Sequence, residues 1–354
     1  DLLSGGANLL AAGGLGYEIL LSLQSLRYDQ LWTGFYALVG LNGAVDLWSG
    51  WVRRQMGFTS RLELQAPRPR PPSQGDRPTP PAVAWGLRCS WGAIALAIPL
   101  CFWGLEIDWG RLGSDRTRTL LADLAVAAAP QWPTVAATQE LWRLSGLTLA
   151  MSLVAITLAG SGGILISFPA AQTCWQRGGW LQPWGQGVTG RALAGVSLLA
   201  TRLLLLVSRA IPAPIWALVL LFVLFPGILP GAIALAIHNF GILGRLMAEV
   251  NENLDERPVR SLQALGAGPG QVILYGVLPQ NLGAFLAYIL YRWEVCLRET
   301  VIVGLVGAGG LGRLMTEQIS SFDYGGLLLT LGCFVGLTFG VDAVSQALRA
   351  SLRQ

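Results

Sequence analysis

The residues best suited to chemistry lie in an apolar stretch near residue 295, where the sequence is YRWEVCLRETV. Ions isolated in hydrocarbon are costly, so these charged side chains should face protein or water and form pairs. Glu294 and Arg298 stand four residues apart with the acid first, a spacing that favours an ion pair along one helix. Such a pair would hold the helix in register, whereas a guanidinium facing a pathway can bind an anion through two hydrogen bonds. The sequence leaves both functions open.

The candidate substrate-path residues combine this cluster with the single histidine of the chain. His238 lies beside Asn239 in another apolar stretch, where it either contacts a substrate or forms a hydrogen bond within the protein. The candidates are Arg292, Glu294, Arg298 and His238.

Composition excludes several other kinds of site. All 24 basic residues are arginines, so no lysine is present to bind phosphate in a Walker loop or to form a Schiff base. One histidine cannot build a histidine-rich metal site, and the five cysteines show no C-x-x-C spacing. We therefore expect no cofactor, no metal and no catalysis in this chain. Any ATP hydrolysis must take place in another subunit.

Hydropathy predicts a polytopic membrane protein. Hydrophobic residues make up 53% of the chain and charged residues 12%, a balance that soluble domains do not show. We predict an all-α fold with about six transmembrane helices and one further helix near the N-terminus. The predicted spans are 90–106, 144–168, 212–227, 230–250, 280–304 and 325–347, with 30–48 as the further one.

The distribution of arginine predicts the orientation in the membrane. Sixteen of the 24 arginines fall in 53–88, 169–212, 245–279 and the C-terminus, six fall in the opposite loops, and two lie within a span. Positive residues favour the cytoplasmic side. We therefore expect the stretches with sixteen arginines in the cytoplasm and the 107–143 loop outside. This rule accounts for the net charge of +4 without any nucleic-acid partner.

The stretch from Asp255 to Pro279 predicts a short folded element between two spans. Asp255 can cap a helix whose first turn tolerates Pro258, and Gly266 can end that helix. Pro269 can then start a second short helix. A helix of two turns is marginal in water, so we expect this one to be docked through an apolar stripe. The stripe consists of Val259, Leu262 and Leu265.

Small residues fill positions 304–312, GLVGAGGLG, at the far end of the charged span. Glycine allows backbones to approach closely and the chain to turn. The stretch is either a gate at the mouth of a pathway or a tight re-entrant turn, and the two are compatible. A dinucleotide fingerprint is excluded because the stretch follows a membrane span. The candidate gate residues are Gly307, Gly309, Gly310 and Gly312.

The 255–279 segment resembles the coupling loop of ABC importer permeases, whose pattern is E-A-A-x3-G-x9-I-x-L-P. Gly266 and Leu278-Pro279 match that pattern, whereas Arg260-Ser261-Leu262 replaces E-A-A and Gly276 replaces the isoleucine. Flanking motifs are similar to phosphonate-type permeases, and the resemblance covers about 140 to 354. These motifs are Arg209-Ala-Ile-Pro212, Ala236-Ile-His238, Tyr291-Arg-Trp-Glu-Val295 and the glycines of 304–312. The coupling residues that it implies are Pro258, Ser261, Leu262, Ala264, Leu265, Gly266, Leu278 and Pro279.

The resemblance implies a type I ABC importer permease of the inner membrane that carries phosphonate or a related phosphorus oxyanion. Its implied partners are two cytoplasmic ATPase subunits, a periplasmic or lipid-anchored binding protein, a second permease domain (fused or homodimeric) and the lipid bilayer. The resemblance also implies that residues 191–208 form a helix along the inner face. Transport would proceed by alternating access, with the 255–279 segment transmitting the motion of the ATPases.

Two alternatives remain from the sequence. An ATP-independent secondary transporter or channel would show broken helices or intramembrane acids without a coupling loop. A degenerate copy that only scaffolds its partner would explain why Arg260-Ser261-Leu262 departs from the family pattern.

An internal repeat defines the domain organisation. Residues 12–53 align without gaps to 308–349, and 15 of the 42 aligned pairs are identical. Unrelated apolar segments would share only a few identities, so the repeat indicates a duplicated permease unit. We interpret 1–54 as the end of an upstream copy, and the sequence as a fragment of a tandem fusion; a natural short start is the alternative. The rest of the chain divides into a Pro/Arg-rich linker at 55–82 and a complete permease domain at 83–354, whose core covers about 144–348.

Overall fold

Helices account for every regular element among the residues that the structure, a computed structural model, describes. These residues are 15–25, 27–55, 92, 95–96, 99–100, 114–127, 135–175, 188–225 and 227–351. The first four full helices are α1 Leu15–Gln24, α2 Tyr28–Gln55, α3 Asp115–Ala127 and α4 Val135–Ala170, after which Gln172–Cys174 forms a 3-10 turn. The others are α5 Val188–Ala210, α6 Ala213–Leu224, α7 Ile228–Glu252, α8 Glu256–Ala264, α9 Pro269–Gln271, α10 Leu278–Val303, α11 Gly310–Ser320 and α12 Tyr324–Ser351. Two π-helical turns, Val272–Val277 and Gly304–Ala308, flank α10.

The chain divides into two compact units, residues 1–42 with 131–354 and residues 43–130. The described part of the second unit comprises the end of α2, α3 and single helical residues between them. The predicted linker 55–82, apart from Gln55, and most of the predicted span 90–106 lie outside the described residues.

Helix α7 is the centre of the first unit, and α4, α5, α6 and α10 all pack against it. Small residues make these contacts close. A Cβ atom on Gly241 would stand 2.7 Å from the carbonyl oxygen of Leu205, and one on Gly244 would stand 2.5 Å from the Leu205 side chain. Backbones can approach this closely only where side chains are absent.

The expected polytopic all-α fold is confirmed. In the described part of the chain, five helical stretches are long and apolar enough to cross a membrane: 137–170, 192–210, 228–252, 269–308 and 324–351. The predicted span 212–227 is shorter than expected. Helix α6 has 12 residues, about 18 Å against a hydrocarbon core of about 30 Å. The helix ends where Phe225, the residue after it, takes a φ of 65° and leaves the helical conformation.

The two sequence repeats fold into the same pair of helices. Shifted by 296 residues, α1 and α2 correspond to 311–320 and 324–351, which are the bounds of α11 and α12 to within one residue. Helix α2 covers the predicted span 30–48 but is not among the five stretches that are long and apolar enough to cross a membrane. In the first repeat, Ile19, Leu31 and Phe35 pack against Ile211 and Ile215.

Candidate functional site

The start and stop signals of the 255–279 segment act as predicted. The Asp255 side chain accepts a hydrogen bond from the backbone N–H of Arg257 at 3.2 Å and caps α8. Gly266 takes a φ of +83° directly after the helix, a conformation that glycine adopts without strain. Its N–H donates to the Gln263 carbonyl at 3.0 Å, and Ala267 N–H donates to the Leu262 carbonyl at 3.1 Å. These bonds satisfy carbonyls that the helix end leaves free.

Apolar contacts dock the segment onto the helices beside it. Val259 is 2% exposed and joins a cluster with two residues of the following π turn. The cluster is Phe168, Ala170, Ala171, Cys174, Leu205, Ala248, Val259, Val272 and Val277. Burial, with a smaller effect of the Glu252 carboxylate, raises the pKa of the Cys174 thiol, so this cysteine stays protonated and packs as an apolar residue.

The predicted apolar stripe is wrong at its third member. Leu265 is 84% exposed, because it follows the last residue of α8 and its side chain no longer follows the helical period. The docked face therefore consists of Val259 and Leu262. An exposed leucine beside a left-handed glycine instead forms the tip of the segment.

Leu262 and Gly276 fit together as a pair. A Cβ atom on Gly276 would stand 2.9 Å from Cδ1 of Leu262 and 3.8 Å from Cγ2 of Val259. The coupling-loop pattern has a small alanine at position 262 and a large isoleucine at position 276. This chain has the large residue, leucine, at 262 and the small one, glycine, at 276. The two departures from the pattern thus compensate for each other in volume.

The outer face of α8 is polar at its start and apolar at its end. Arg260, which stands where the pattern has glutamate, pairs with Glu256 one turn earlier at 2.5 Å. The predicted coupling residues between 258 and 266, apart from Leu262, are solvent-exposed, which leaves them free to contact another protein. These are Pro258, Ser261, Ala264, Leu265 and Gly266. The chain returns to the membrane at Leu278, where α10 begins, with Pro279 in its first turn.

Arg292 forms a closed triad with two neighbours in the interior. Its Nε donates to Oδ1 of Asn239 at 2.8 Å, and its Nη2 lies 3.1 Å from Oε1 of Glu299. The Asn239 amide donates in turn to the other Glu299 oxygen at 3.2 Å. Each charge is therefore matched within the protein, and the triad ties α7 to α10.

The predicted ion pair between Glu294 and Arg298 is wrong. Glu294 pairs with Arg349 at 2.6 Å and Arg298 pairs with Asp342 at 3.6 Å. Helix α12 carries these two partners seven residues apart, so that both face α10, and pairing between helices replaces pairing along one helix. The charges therefore join α10 to α12.

His238 is half-buried and joins two elements. Its Nδ1 lies 3.0 Å from the carbonyl oxygen of Ile211, in the turn between α5 and α6. This contact agrees with the hydrogen-bonded alternative for His238.

Residues 304–312 form a tight re-entrant turn. Gly307, Gly309 and Gly310 have φ values of 108°, 93° and 68°. A Cβ atom on Gly312 would stand 2.2 Å from the carbonyl oxygen of Val301, so no side chain fits there. We call residues 304–312 the glycine turn.

A hydrogen bond fastens the glycine turn to α4. The backbone N–H of Leu311 donates to Oγ1 of Thr148 at 2.9 Å. The turn is therefore held by neighbouring backbone and side chains on several sides.

Comparison with known proteins gives the family. The model of the family "Binding-protein-dependent transport system inner membrane component" matches residues 189–354. The phosphite transport system permease protein PtxC of Stutzerimonas stutzeri is 33% identical over 57% of this chain and 67% of its own length. The permease PhnE2 of Escherichia coli (strain K12), named for cryptic phosphonate transport, is 38% identical over 33% of this chain and 96% of its own length. The chain belongs to this family.

Other sequence relatives of the permease are matched over less of their length. The phosphate-import permease PhnE of Mycolicibacterium smegmatis is 28% identical over 58% of this chain and 35% of its own length. The permease spans about half of two further Stutzerimonas stutzeri proteins. A solved MetNI methionine ABC transporter is 17% identical, covers 62% of this chain and 99% of its own, and has a TM-score of 0.49. The family assignment rests on the sequence relatives.

Sequence reasoning missed the ion-pair partners in the permease. Asp342 and Arg349 stand in an apolar helix at a spacing of seven, and the sequence repeats this spacing at Asp46 and Arg53. Because the same two charges recur at the same spacing in the repeated segment, the sequence held a usable signal that they have a common role. Glu299 was among the charged side chains expected to form pairs, and it stands seven residues after Arg292, two helical turns along the same face.

Proposed function

We propose that this permease is the transmembrane subunit of an ABC importer for phosphonate or a related phosphorus oxyanion. The observation that carries the proposal is the 255–279 segment: a capped, docked helix with an exposed leucine and glycine at its tip, between two membrane helices of a family member. A slack connector would need neither the cap nor the buried Val259. A soluble ATPase needs a firm surface on the membrane subunit against which to push.

The partners follow from this assignment. Two ATPase subunits in the cytoplasm would supply hydrolysis, a periplasmic or lipid-anchored protein would deliver substrate, and a second permease domain would complete the pathway. The arginine distribution supports an orientation with the 255–279 segment, the linker and the C-terminus in the cytoplasm of an inner membrane. In the mechanism, closure of the ATPases displaces the 255–279 segment, and the helices repack to expose the pathway on the other side.

The names of the sequence relatives support the substrate class. They refer to phosphite, phosphonate and phosphate transport, and all three substrates are tetrahedral phosphorus oxyanions that a guanidinium can bind.

Within the permease, Arg298 is better placed for such an anion than Arg292. Its side chain is 54% exposed, and its partner Asp342 is 3.6 Å away. The Arg292 side chain is 12% exposed and engaged on two sides. We assign a contact with the passing anion to Arg298 and a role in holding α7 against α10 to Arg292.

The volume exchange between Leu262 and Gly276 favours an active coupling loop over a degenerate one. A degenerate copy would accumulate changes independently, and a large residue at 262 alone would expel the isoleucine of the pattern. Here the second change makes room for the first. A secondary transporter needs no such segment, and membership of the family weighs against it.

Uptake measurements test the proposal. Cells without their own phosphorus importers would express the permease with its ATPase and binding protein, and take up labelled phosphite, phosphate or methylphosphonate. We expect uptake of at least one of them that stops when the ATPase is inactivated. Gly266→Asp should insert into the membrane normally yet abolish uptake, since a side chain at φ +83° tilts the tip. Uptake that persists without an active ATPase would overturn the proposal in favour of a secondary transporter.

A further inference from the structure

The two ends of the 255–279 segment are joined by a buried hydrogen bond between asparagines. Asn251 lies near the end of α7 and Asn281 near the start of α10, and both side chains are buried. The Asn281 amide nitrogen donates to Oδ1 of Asn251 at 2.8 Å. The chain therefore leaves and re-enters the helical bundle at two residues that are bonded to each other. We call this pair, Asn251 and Asn281, the base of the segment.

The Asn251 amide extends this base to a third helix. Its nitrogen donates to Oγ of Ser167 on α4 at 3.0 Å, and the Ser167 hydroxyl donates to the Ile164 carbonyl at 2.7 Å. Ser167 is fully buried. One amide thus uses its oxygen toward α10 and its nitrogen toward α4, which fixes the relative rotation of three helices.

The neighbouring residue Glu252 secures the same base to α5. Its Oε1 lies 2.7 Å from Nη2 of Arg202 and accepts a hydrogen bond from the backbone N–H of Gln172 at 3.0 Å. The apolar cluster around Val259 also holds the segment, but apolar packing is non-directional and permits small rotations. The amide contacts are directional, so they resist rotation.

We propose that Asn251, Asn281 and Ser167 are positioning residues for coupling, which make the 255–279 segment and helices α4, α7 and α10 move as one body. The proposal rests on the proposed function, since it assigns a path to the stroke that the ATPases deliver. Without these contacts, the segment would rotate against its apolar neighbours. The displacement that the ATPases impose on it would then not move the helices. ATP would then be hydrolysed without transport.

Two variants separate positioning from stability. Asn281→Leu removes one donor and leaves the Asn251 oxygen buried without a partner, so it should lower both thermal stability in detergent and coupling. Asn251→Leu with Asn281→Leu replaces both groups by apolar side chains of similar size, a change that can be nearly neutral for stability. Asn253→Ala is the matched control, because the Asn253 amide is exposed and donates to the Glu249 carbonyl in the last turn of α7, without reaching another helix.

The measurement is the amount of substrate transported per ATP hydrolysed by the full complex in proteoliposomes, with phosphite, phosphate and methylphosphonate as probes. We expect the double variant to regain thermal stability and ATPase association while its transport per ATP stays about tenfold below the parent and the Asn253→Ala control. A double variant with the parent's ratio would overturn the positioning role and leave the proposed function intact. A parent complex whose transport needs no ATP would instead overturn the proposed function itself.

Discussion

The two turns at the ends of α10 both depend on glycine, for different physical reasons. In the glycine turn, Gly312 is required by packing, since a Cβ atom would meet the Val301 carbonyl at 2.2 Å. In the 255–279 segment, Gly266 has no atom within 4 Å of a built Cβ, and only its φ of +83° requires glycine. The first turn is locked into the bundle, whereas the second presents its tip to open space. Close packing keeps the first turn in one position, and the open space around the second is what our proposed contact with an ATPase requires.

The largest effect is expected at the glycine turn. Gly312→Ala forces a methyl group against the backbone of Val301 and Gly304 and should cost about 3 kcal/mol. We expect a sharp fall in folded yield and in the thermal unfolding temperature in detergent. Gly340→Ala is the control, because a Cβ there meets open space. An unchanged unfolding temperature for Gly312→Ala would contradict the view that packing fixes this turn.

An intermediate effect is expected where the 255–279 segment meets its base. Gly276→Ile places a branched side chain on Leu262 and should destabilise the docked helix by about 2 kcal/mol. Addition of Leu262→Ala recreates the arrangement of the family pattern and should restore uptake and resistance of the segment to proteolysis. If the double variant shows no more uptake or resistance to proteolysis than Gly276→Ile alone, the volumes of residues 262 and 276 do not compensate for each other. Gly283→Ile serves as a control for size at a site with free space.

The smallest effect on stability is expected at the tip. Gly266→Ala meets no neighbour and should cost about 1 kcal/mol through its backbone conformation alone. Gly270→Ala, in the same segment with open space and no positive φ, should cost less. Thermal unfolding of the two variants in detergent measures the difference. Equal losses would show that φ at residue 266 has no special role.

Local signals made the 255–279 segment predictable. The cap at Asp255 and the helix end at Gly266 each depend on bonds to residues no more than five positions away, and the structure has both. Leu265 was misplaced because the stripe assumed that the helix continued one residue further than it does. The end of a helix shifts every side chain after it away from the helical period.

Long-range pairing was not predictable from spacing alone. Glu294 and Arg298 satisfied the rule for pairing along a helix, yet each found a closer partner on α12. An i,i+4 pair is worth only about 0.5 kcal/mol, so any well-placed partner on a facing helix displaces it. The choice depends on which face α12 turns to α10, and that is a property of the packed bundle.

Co-purification in detergent shows whether the tip of the 255–279 segment binds an ATPase, as we propose. Leu265→Asp changes a residue that is 84% exposed, so the fold should be unaffected. Phe322→Asp is the matched control: this residue is 75% exposed and follows α11, beyond the other end of α10. We expect Leu265→Asp to insert normally but to retain about a tenth or less of the ATPase, while Phe322→Asp retains it in full. Full retention of the ATPase by Leu265→Asp would show that the tip does not bind it.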